Sequence, residues 1–175
     1  MPERERVYLS LGSNIEPERH LADALGAISA RFGAVECSGA YRNQAVGFAG
    51  AEFVNLAAAL DSELAPTRLA QWLRALESAH GRCRVQPRFA DRSLDIDIVL
   101  FGRRSFRIQD GLQLPRPELE QAFVLKPLAD LAPDLVPAGG SASLAALWAG
   151  HPQAGLACWR RSWRFWPAPD TPPTR

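Results

Sequence analysis

The first half of the chain switches between strand-like and helix-like spacing of its apolar residues. Residues 7–11 alternate apolar and smaller side chains and lead into a Gly-Ser-Asn sequence, which predicts a strand that ends in a tight turn. Apolar residues then recur at helical spacing over 21–32, and Pro17 and Gly33 flank them as start and stop signals for a helix. Two further strands, 35–42 and 53–60, are predicted on either side of a flexible loop.

The second half begins with an amphipathic helix and continues with the clearest strand of the chain. The helix opens near Pro66, has leucine and tryptophan on one face, and stops at His80, next to a glycine. A second loop, 82–93, follows it. In 94–100, leucine and isoleucine alternate with other residues without exception, which predicts a strand with one buried face.

The remaining elements are short. A strand through Phe106 and Ile108 is predicted to pair with the preceding strand across a turn. Prolines then punctuate the chain, and a last helix is predicted near 141–148. Because no repeat or clear linker is present, we expect one α+β domain with an antiparallel sheet over 1–150, followed by a C-terminal extension over 151–175.

Composition and charge narrow the classes of partner. A hydrophobic fraction of 47% with 22% charged residues is typical of a globular protein that buries a full core. The net charge is +1, from 20 basic and 19 acidic residues, so no global field holds a nucleic acid or an anionic membrane. The longest uncharged run, 135–159, contains prolines and glycines that would break a membrane helix. We therefore expect neither nucleic acid nor membrane as a partner.

The cysteines and the N-terminus predict a compartment. Cys37, Cys83 and Cys158 are odd in number and have no short spacing, so they indicate neither a disulfide framework nor a zinc site. The highly charged start of the chain lacks the apolar stretch of a signal peptide. Both features favour the reducing cytoplasm.

Two carboxylates carry the strongest chemical signal. Asp95 and Asp97 lie two residues apart on a strand, so their side chains project from the same face about 7 Å apart. The loop just before that strand is rich in arginine, with Arg82, Arg84, Arg88 and Arg92. Metal-binding carboxylates beside guanidinium groups are suited to a polyphosphate, because Mg²⁺ bridges some phosphate oxygens and arginines bind the others. The alternative is a solvated strand face beside a solvated loop.

Other phosphate and catalytic motifs are missing. The one lysine, Lys126, precedes a proline and follows no glycine-rich loop, which excludes a phosphate-loop kinase. His20, His80 and His151 have no spacing that suggests a metal cage or a triad, so we expect each to be a surface residue or a helix-capping residue.

Several segments together resemble the 6-hydroxymethyl-7,8-dihydropterin pyrophosphokinase family of folate biosynthesis. They are Leu-Gly-Ser-Asn at 11–14, Phe-Val-Asn at 53–55, Glu77 through Gly81-Arg82, Arg-Ser-Leu-Asp-Ile-Asp at 92–97, and Phe-Val-Leu at 123–125. The resemblance covers roughly residues 6–148, and the segment at 92–97 is its most specific part. It implies a ferredoxin-like α+β fold in which an antiparallel sheet carries packed helices. It also implies transfer of a diphosphate from ATP to the pterin hydroxymethyl group, with release of AMP.

The resemblance also implies roles for individual residues. Asp95 and Asp97 would hold two Mg²⁺ ions, while Arg82 and Arg92 would contact the phosphates and serve catalysis. The pterin would stack between Phe53 and Phe123 and bond to Asn55, and Val46 and Gly47 would also contact it. The loops around Gly47 and Arg88 would close over the site. Glu77, Arg84 and Ile98 fall near the family's nucleotide positions. Arg116 stands where the family usually has a histidine, and we expect it on the nucleotide side.

Two alternatives remain open on the sequence alone. One is a paralogue that binds a pterin or nucleotide with altered or lost turnover, because the family's usual residues are replaced at Phe89, Asp91, Arg116 and Gln121. The other is a nucleotidyltransferase, which also uses a Gly-Ser turn and an Asp-Xaa-Asp pair, although Ser13 and Asp95 are far apart in this chain.

The basic and aromatic segment at 159–167 lies beyond the resemblance. It could dock on the domain, mediate self-association or contact nucleic acid. We expect docking, because exposed tryptophans are unfavourable, and we expect the last residues to be disordered.

Overall fold

The computed structural model describes residues 3–81, 90–107, 111–164 and 166. Its longer elements follow the predicted order. They are β1 (Glu5–Ser13), α1 (Pro17–Phe32), β2 (Glu36–Cys37), β3 (Tyr41–Asn43), β4 (Phe53–Ser62), α2 (Pro66–Ala79) and β5 (Asp95–Phe101). Shorter elements follow: β6 (Phe106–Arg107), β7 (Gln113–Leu114), α3 (Ala122–Leu131) and α4 (Leu144–Ala149), with 3₁₀ turns at Pro117–Glu120 and Ala157–Arg160.

An antiparallel sheet in the order β2-β4-β1-β5 forms the centre, and β3 also pairs with β4. Helices α1 and α2 cover one face, where leucines of β1 and β4 and isoleucines of β5 are buried. Helices α3 and α4 cover part of the other face. Because strand side chains alternate between faces, the sheet has one predominantly apolar side and one side that carries the polar residues Asn55, Asp95 and Asp97. The α+β fold with an antiparallel sheet and packed helices is thus confirmed.

The strand predicted over 35–42 is interrupted, because a side chain replaces part of the ladder. Ser38 donates its N–H to the carbonyl of Ala57, but the Ala57 N–H donates to the Ser38 hydroxyl, each at 2.9 Å. The next polar backbone groups, those of Ala40, pair with Trp163 of the extension instead of β4. The segment therefore divides into β2 and β3.

The partner predicted for the 106–108 strand is wrong. β6 pairs with β7 in a separate two-stranded sheet, and Ile108 lies outside the described residues. The chain leaves β5 at Gly102, which has a φ of 54° and donates its N–H to the Arg6 carbonyl at 2.8 Å. This turn directs the chain away from the main sheet.

Helix α3 is longer than the proline pattern suggests. Pro127 lies inside it, and its missing N–H removes only the bond that the carbonyl of Phe123 would accept. Val124, Leu125 and Leu128 are buried against the sheet and hold the helix in place. Burial therefore outweighs the cost of one lost hydrogen bond.

The described part of the extension packs on the domain, as the docking interpretation predicts. Trp159 is 4% exposed and its ring lies 5.7 Å from that of Tyr41. Trp163 pairs with Ala40 through backbone bonds of 2.8 and 3.2 Å, and Arg42 lies over its ring. The extension thus covers the backbone beside β3. Within the described ranges, no helix is long and apolar enough to cross a membrane.

Candidate active site

The polar face of the sheet carries three predicted site residues, Asn55, Asp95 and Asp97. Asn55 of β4 pairs with Gly12 of β1, and Gly12 pairs with Asp95 of β5. Ser10 pairs with Asp97 in the same way. Paired residues on neighbouring strands project to the same face. The amide and both carboxylates therefore lie along one side of the sheet, beneath α3.

A cavity of about 630 Å³ opens on this face. Its lining includes apolar residues on the β4 side and charged residues on the β5 side. The apolar members are Val46, Phe48, Phe53, Phe123 and Val124, and the polar ones include Asn43, Asn55, Arg92, Asp95, Asp97, Arg116, Glu118 and Gln121. Such a cavity can bind a molecule that has a flat apolar part and an anionic part.

The apolar side of the cavity holds the predicted ring-binding residues. Phe53 begins β4, Phe123 lies on α3, and both are half-buried at the cavity wall. Phe48, which sequence reasoning missed, packs edge-on against Phe53 with ring centres 6.3 Å apart. Val46 also lines the cavity and is 54% exposed, which suits a loop that contacts a bound ligand.

Asn55 is held in a narrow space. Its side chain is 5% exposed, and its Nδ2 donates to Oδ1 of Asn43 at 2.5 Å. A Cβ at position 12 would stand only 2.6 Å from Oδ1 of Asn55. Gly12 is thus required by close approach, which gives a physical reason for the glycine of the Gly-Ser-Asn sequence.

The charged side of the cavity includes two arginines, each paired with an aspartate of β5. Arg92 donates to Asp95 at 3.1 Å, and Arg116 lies 3.1 Å from Asp97 and 3.3 Å from Glu118. The four paired groups, Arg92, Asp95, Asp97 and Arg116, retain side-chain exposures of 19 to 34%. All can therefore reach a ligand in the cavity, and the expected placement of Arg116 on the nucleotide side stays a prediction.

Asp95 and Asp97 suit a divalent cation that also binds the substrate. Among the residues that the structure describes, no cluster of three His, Cys, Asp or Glu side chains could hold a metal. Mg²⁺ in phosphate-transfer sites is typically held by one or two carboxylates together with substrate phosphates and water. Two adjacent, partly exposed carboxylates fit that arrangement.

Asn14 is a site-forming residue whose role sequence reasoning missed. Its Oδ1 accepts the N–H of Arg92 at 2.7 Å, and its Nδ2 donates to Asp91 at 2.7 Å and to the carbonyl of Ala51 at 3.2 Å. Its own N–H donates to the Arg92 carbonyl at 3.0 Å. One buried amide thus joins the end of β1 to both segments that border the cavity. An asparagine that ends a strand turn is the sequence signal.

Two predicted nucleotide residues lie away from the cavity. Glu77 of α2 is 4% exposed, and its carboxylate accepts the N–H of Ile96 at 2.7 Å, at the edge of β5. Ile98 is 3% exposed and packs in the core between the sheet and the α1–α2 layer. Their predicted contact with nucleotide stays a prediction. Arg82 and Arg84 lie outside the described residues, as do Arg88 and Phe89.

The expectation for the histidines is wrong at His20. That side chain is 7% exposed, and its Nδ1 lies 2.8 Å from Nδ1 of His80, which caps the end of α2. Burial lowers the pKa of His20, and the neighbouring charges of Arg19 and His80 lower it further. The two imidazoles connect the first turn of α1 to the C-terminal end of α2.

Ser13 does not have the placement that a nucleotidyltransferase would need. It is fully buried, and its hydroxyl donates to the carbonyl of Ile15 at 3.0 Å. The serine therefore shapes the turn and does not face the aspartates as a phosphate ligand.

Comparisons with known proteins agree with one another. A family model described as 7,8-dihydro-6-hydroxymethylpterin-pyrophosphokinase matches residues 8–133. The chain is 43% identical over 136 residues to a 2-amino-4-hydroxy-6-hydroxymethyldihydropteridine pyrophosphokinase of Pseudomonas aeruginosa, covering 75% of this chain and 83% of that protein. It is 37% identical over 136 residues to a protein of the same name from Synechocystis, covering 74% and 68%.

A solved structure shows the same fold. The chain resembles a Plasmodium falciparum HPPK-DHPS triple mutant crystallised with pteroate, with a TM-score of 0.65 at 11% identity. The match covers 83% of this chain and 43% of that one, so the chain spans less than half of the solved protein.

Proposed function

Because the chain belongs to the 7,8-dihydro-6-hydroxymethylpterin-pyrophosphokinase family, it is an ATP-dependent diphosphotransferase of folate biosynthesis, and we propose that the cavity beneath α3 is its active site. The observation that carries this proposal is the row of paired residues Asn55, Gly12 and Asp95. It places an amide suited to a heterocycle and a carboxylate suited to a metal on one sheet face. The two substrates would meet above Gly12.

The apolar side of the cavity would bind the dihydropterin. A flat ring with amide-like edges suits two aromatic faces and one fixed amide. Phe53 and Phe123 supply the faces, Asn55 supplies the hydrogen bonds, and Val46 and Gly47 lie in the loop that would close over the ring. Because Asn55 is buried, a ligand edge that fails to pair with it would be disfavoured.

The charged side would bind the triphosphate of ATP. Asp95 and Asp97 would hold two Mg²⁺ ions, and their present partners Arg92 and Arg116 would then bond to phosphate oxygens. When bound, Mg²⁺ neutralises the charge that builds up on the transferred diphosphate. Arg82, Arg84, Glu77 and Ile98 remain predicted nucleotide contacts.

The chemical step requires positioning more than a strong base. The hydroxymethyl oxygen attacks the β-phosphorus of ATP, the bond from that phosphorus to the α-phosphate oxygen breaks, and AMP leaves. The proton of the hydroxyl group is released as the new oxygen–phosphorus bond forms. The stacked ring fixes the nucleophile, and the guanidinium groups fix the phosphates, so most of the rate enhancement comes from orientation and electrostatics.

The direct test is an assay of phosphorus-containing products by ³¹P NMR. The purified chain is mixed with ATP, Mg²⁺ and 6-hydroxymethyl-7,8-dihydropterin, and we expect AMP and the pterin diphosphate in equal amounts. ADP as the coproduct would show transfer of a single phosphate, and free pyrophosphate as the coproduct would show nucleotidyl transfer. An absence of turnover with measurable pterin binding would favour the inactive paralogue.

The metal assignment has its own variants. Asp95→Asn and Asp97→Asn should each nearly abolish AMP formation while the fold is kept, since charge neutralisation by metal contributes several kcal/mol to the transition state. Asp134→Asn is the matched control, because Asp134 is exposed and lies outside the cavity. Rates like those of the control in either folded active-site variant would refute the assignment.

We also propose the reducing cytoplasm as the compartment, and the thiols support it. Cys37 and Cys158 are free, and burial raises the pKa of the Cys37 thiol to about 12, so that thiol stays protonated and unreactive at neutral pH. Cellular fractionation tests the compartment.

A further inference from the structure

Asn43 has an environment that the proposed mechanism does not yet use. It lies at the end of β3 opposite Phe53, so its side chain shares the sheet face of Asn55 and lines the same cavity. Its Oδ1 accepts from Nδ2 of Asn55 at 2.5 Å. Its Nδ2 donates to the carbonyl of Gln44 at 3.1 Å. Both ends of the Asn43 amide are therefore committed.

These two bonds fix the direction of a second amide. A side-chain amide has nearly the same shape in its two flipped orientations, so its partners decide which end is the acceptor. The Gln44 carbonyl can only accept, and it therefore takes the NH₂ end of Asn43. The oxygen of Asn43 then faces Asn55 and takes the NH₂ end of that residue. The oxygen of Asn55 is left on the side of Gly12, at the cavity wall.

From these two hydrogen bonds we infer that Asn43 is a positioning residue: it orients Asn55 and thereby sets which edge of the heterocycle can form hydrogen bonds with Asn55. With its flip fixed, Asn55 presents an oxygen acceptor to the cavity, so the bound ring must offer N–H donors at that point. A ring that offers an acceptor there meets the Asn55 oxygen without a hydrogen bond and is rejected. The inference rests on the proposed function, because it assumes that this cavity binds the pterin.

The strand that carries Asn43 is itself anchored by α3 and by the C-terminal extension. The Tyr41 hydroxyl donates to Asp130 of α3, and the buried Tyr41 ring packs against Trp159. Ala40 pairs with Trp163. Helix α3 and the extension thus both hold β3, which keeps the Gln44 carbonyl and Asn43 in place. Asn43 can fix the orientation of Asn55 only if Asn43 is itself held in place.

The test separates orientation from direct contact by a double-mutant cycle. Dissociation constants for 6-hydroxymethylpterin and, separately, for α,β-methylene-ATP with Mg²⁺ are measured by calorimetry on Asn43→Ala, Asn55→Ala and the double variant. Loss of one neutral hydrogen bond predicts a pterin affinity about three- to tenfold weaker for Asn43→Ala, with ATP-analogue affinity within about twofold. In the Asn55→Ala background, Asn43→Ala should cause no further loss.

Each other outcome contradicts a defined part of the reasoning. An equal loss in both backgrounds would make Asn43 a direct ligand, and an unchanged pterin affinity in Asn43→Ala would remove it from the site; either overturns the inference alone. A parent protein that does not bind the pterin would overturn the proposed function as well. Thermal unfolding checks each variant, and Asn43→Ser, too short to reach Asn55, replaces any Asn43→Ala protein that fails to fold.

The matched control is Arg42→Gln. Arg42 is the preceding residue on β3 and points to the opposite face, where it pairs with Glu18 at 3.3 Å and lies over the Trp163 ring. The backbone bonds that join Trp163 to Ala40 do not involve the Arg42 side chain. Its replacement should leave the pterin affinity within about twofold of the parent, since an exposed ion pair contributes little.

Discussion

Replacing Gly12 by alanine tests the close approach between β1 and Asn55. The new methyl group would stand 2.6 Å from Oδ1 of Asn55, well inside normal contact distance. Asn55 is 5% exposed and bonded to Asn43, so its amide cannot turn aside without losing that bond. The substitution therefore displaces the group on which pterin recognition is proposed to depend.

The magnitude follows from two costs. Overpacking by a methyl group in a closed site typically costs about 1–3 kcal/mol of folding stability. Displacement of Asn55 leaves the heterocycle edge unpaired, which costs a further ~1–3 kcal/mol in binding, or about 5- to 150-fold in pterin affinity. The ATP analogue should lose less affinity than the pterin, because the paired arginines and aspartates are on the β5 side.

Gly26→Ala is the control for this prediction. Gly26 lies inside α1, and among the residues that the structure describes outside the helix backbone, a Cβ there meets only the edge of Trp166, at 3.9 Å. The same substitution should leave pterin binding unchanged and raise the free energy of unfolding by up to about 1 kcal/mol through helix propensity. Calorimetry and thermal unfolding measure both effects. Parent-like pterin affinity in a folded Gly12→Ala protein would refute the assignment of Asn55 to the pterin.

Three further predictions concern the nucleotide, the ring and pH. Arg116→Ala should weaken ATP binding about tenfold or more, since a charge-assisted contact contributes ~1.5–3 kcal/mol. Arg116→His should make ATP affinity fall between pH 6 and 8, because histidine loses its charge near pH 6.5. Titrations of ATP indistinguishable from those of the parent would place Arg116 outside the nucleotide site. Phe123→Ala should weaken pterin binding but not ATP binding, and equal losses for both ligands by calorimetry would argue against stacking. Burial holds the pKa of His20 below its ordinary value, so its contribution to stability is complete above about pH 6.5 and is lost as pH falls through the lower folded pKa. Thermal unfolding of His20→Gln should therefore show a smaller loss of stability from pH 7 to pH 5 than the parent shows, and identical slopes would contradict this.

Local pattern was sufficient for the long elements and for one feature of the site. The periodicity of 7–11, 21–32 and 94–100 predicted β1, α1 and β5, because a single amphipathic element records in its own sequence which side is buried. The shared face of Asp95 and Asp97 followed from strand geometry alone. The family resemblance supplied the chemistry that two carboxylates by themselves leave open.

Pairings between distant segments were decided only by the tertiary structure. The bonds from Asn14 to Asp91 and Arg92 join residues 77 and 78 positions apart, and the contact between His20 and His80 joins residues 60 apart. Each depends on which strands and helices become neighbours and in which register. Periodicity along one segment contains no information about that choice.

The dependence on strand pairing also explains which features of the cavity could be predicted from the sequence and which could not. The sequence by itself determined a β-strand with two carboxylates, an aromatic strand start at Phe53 and a glycine at position 12. Only the antiparallel register of β4, β1 and β5 placed Asn55, Gly12 and Asp95 in one row. The need for Gly12 arises from the position of the Asn55 oxygen, which is set through β3. Local hydrophobic pattern determines which face of a segment is buried, whereas a site built from several strands depends on distances that exist only after those strands have paired.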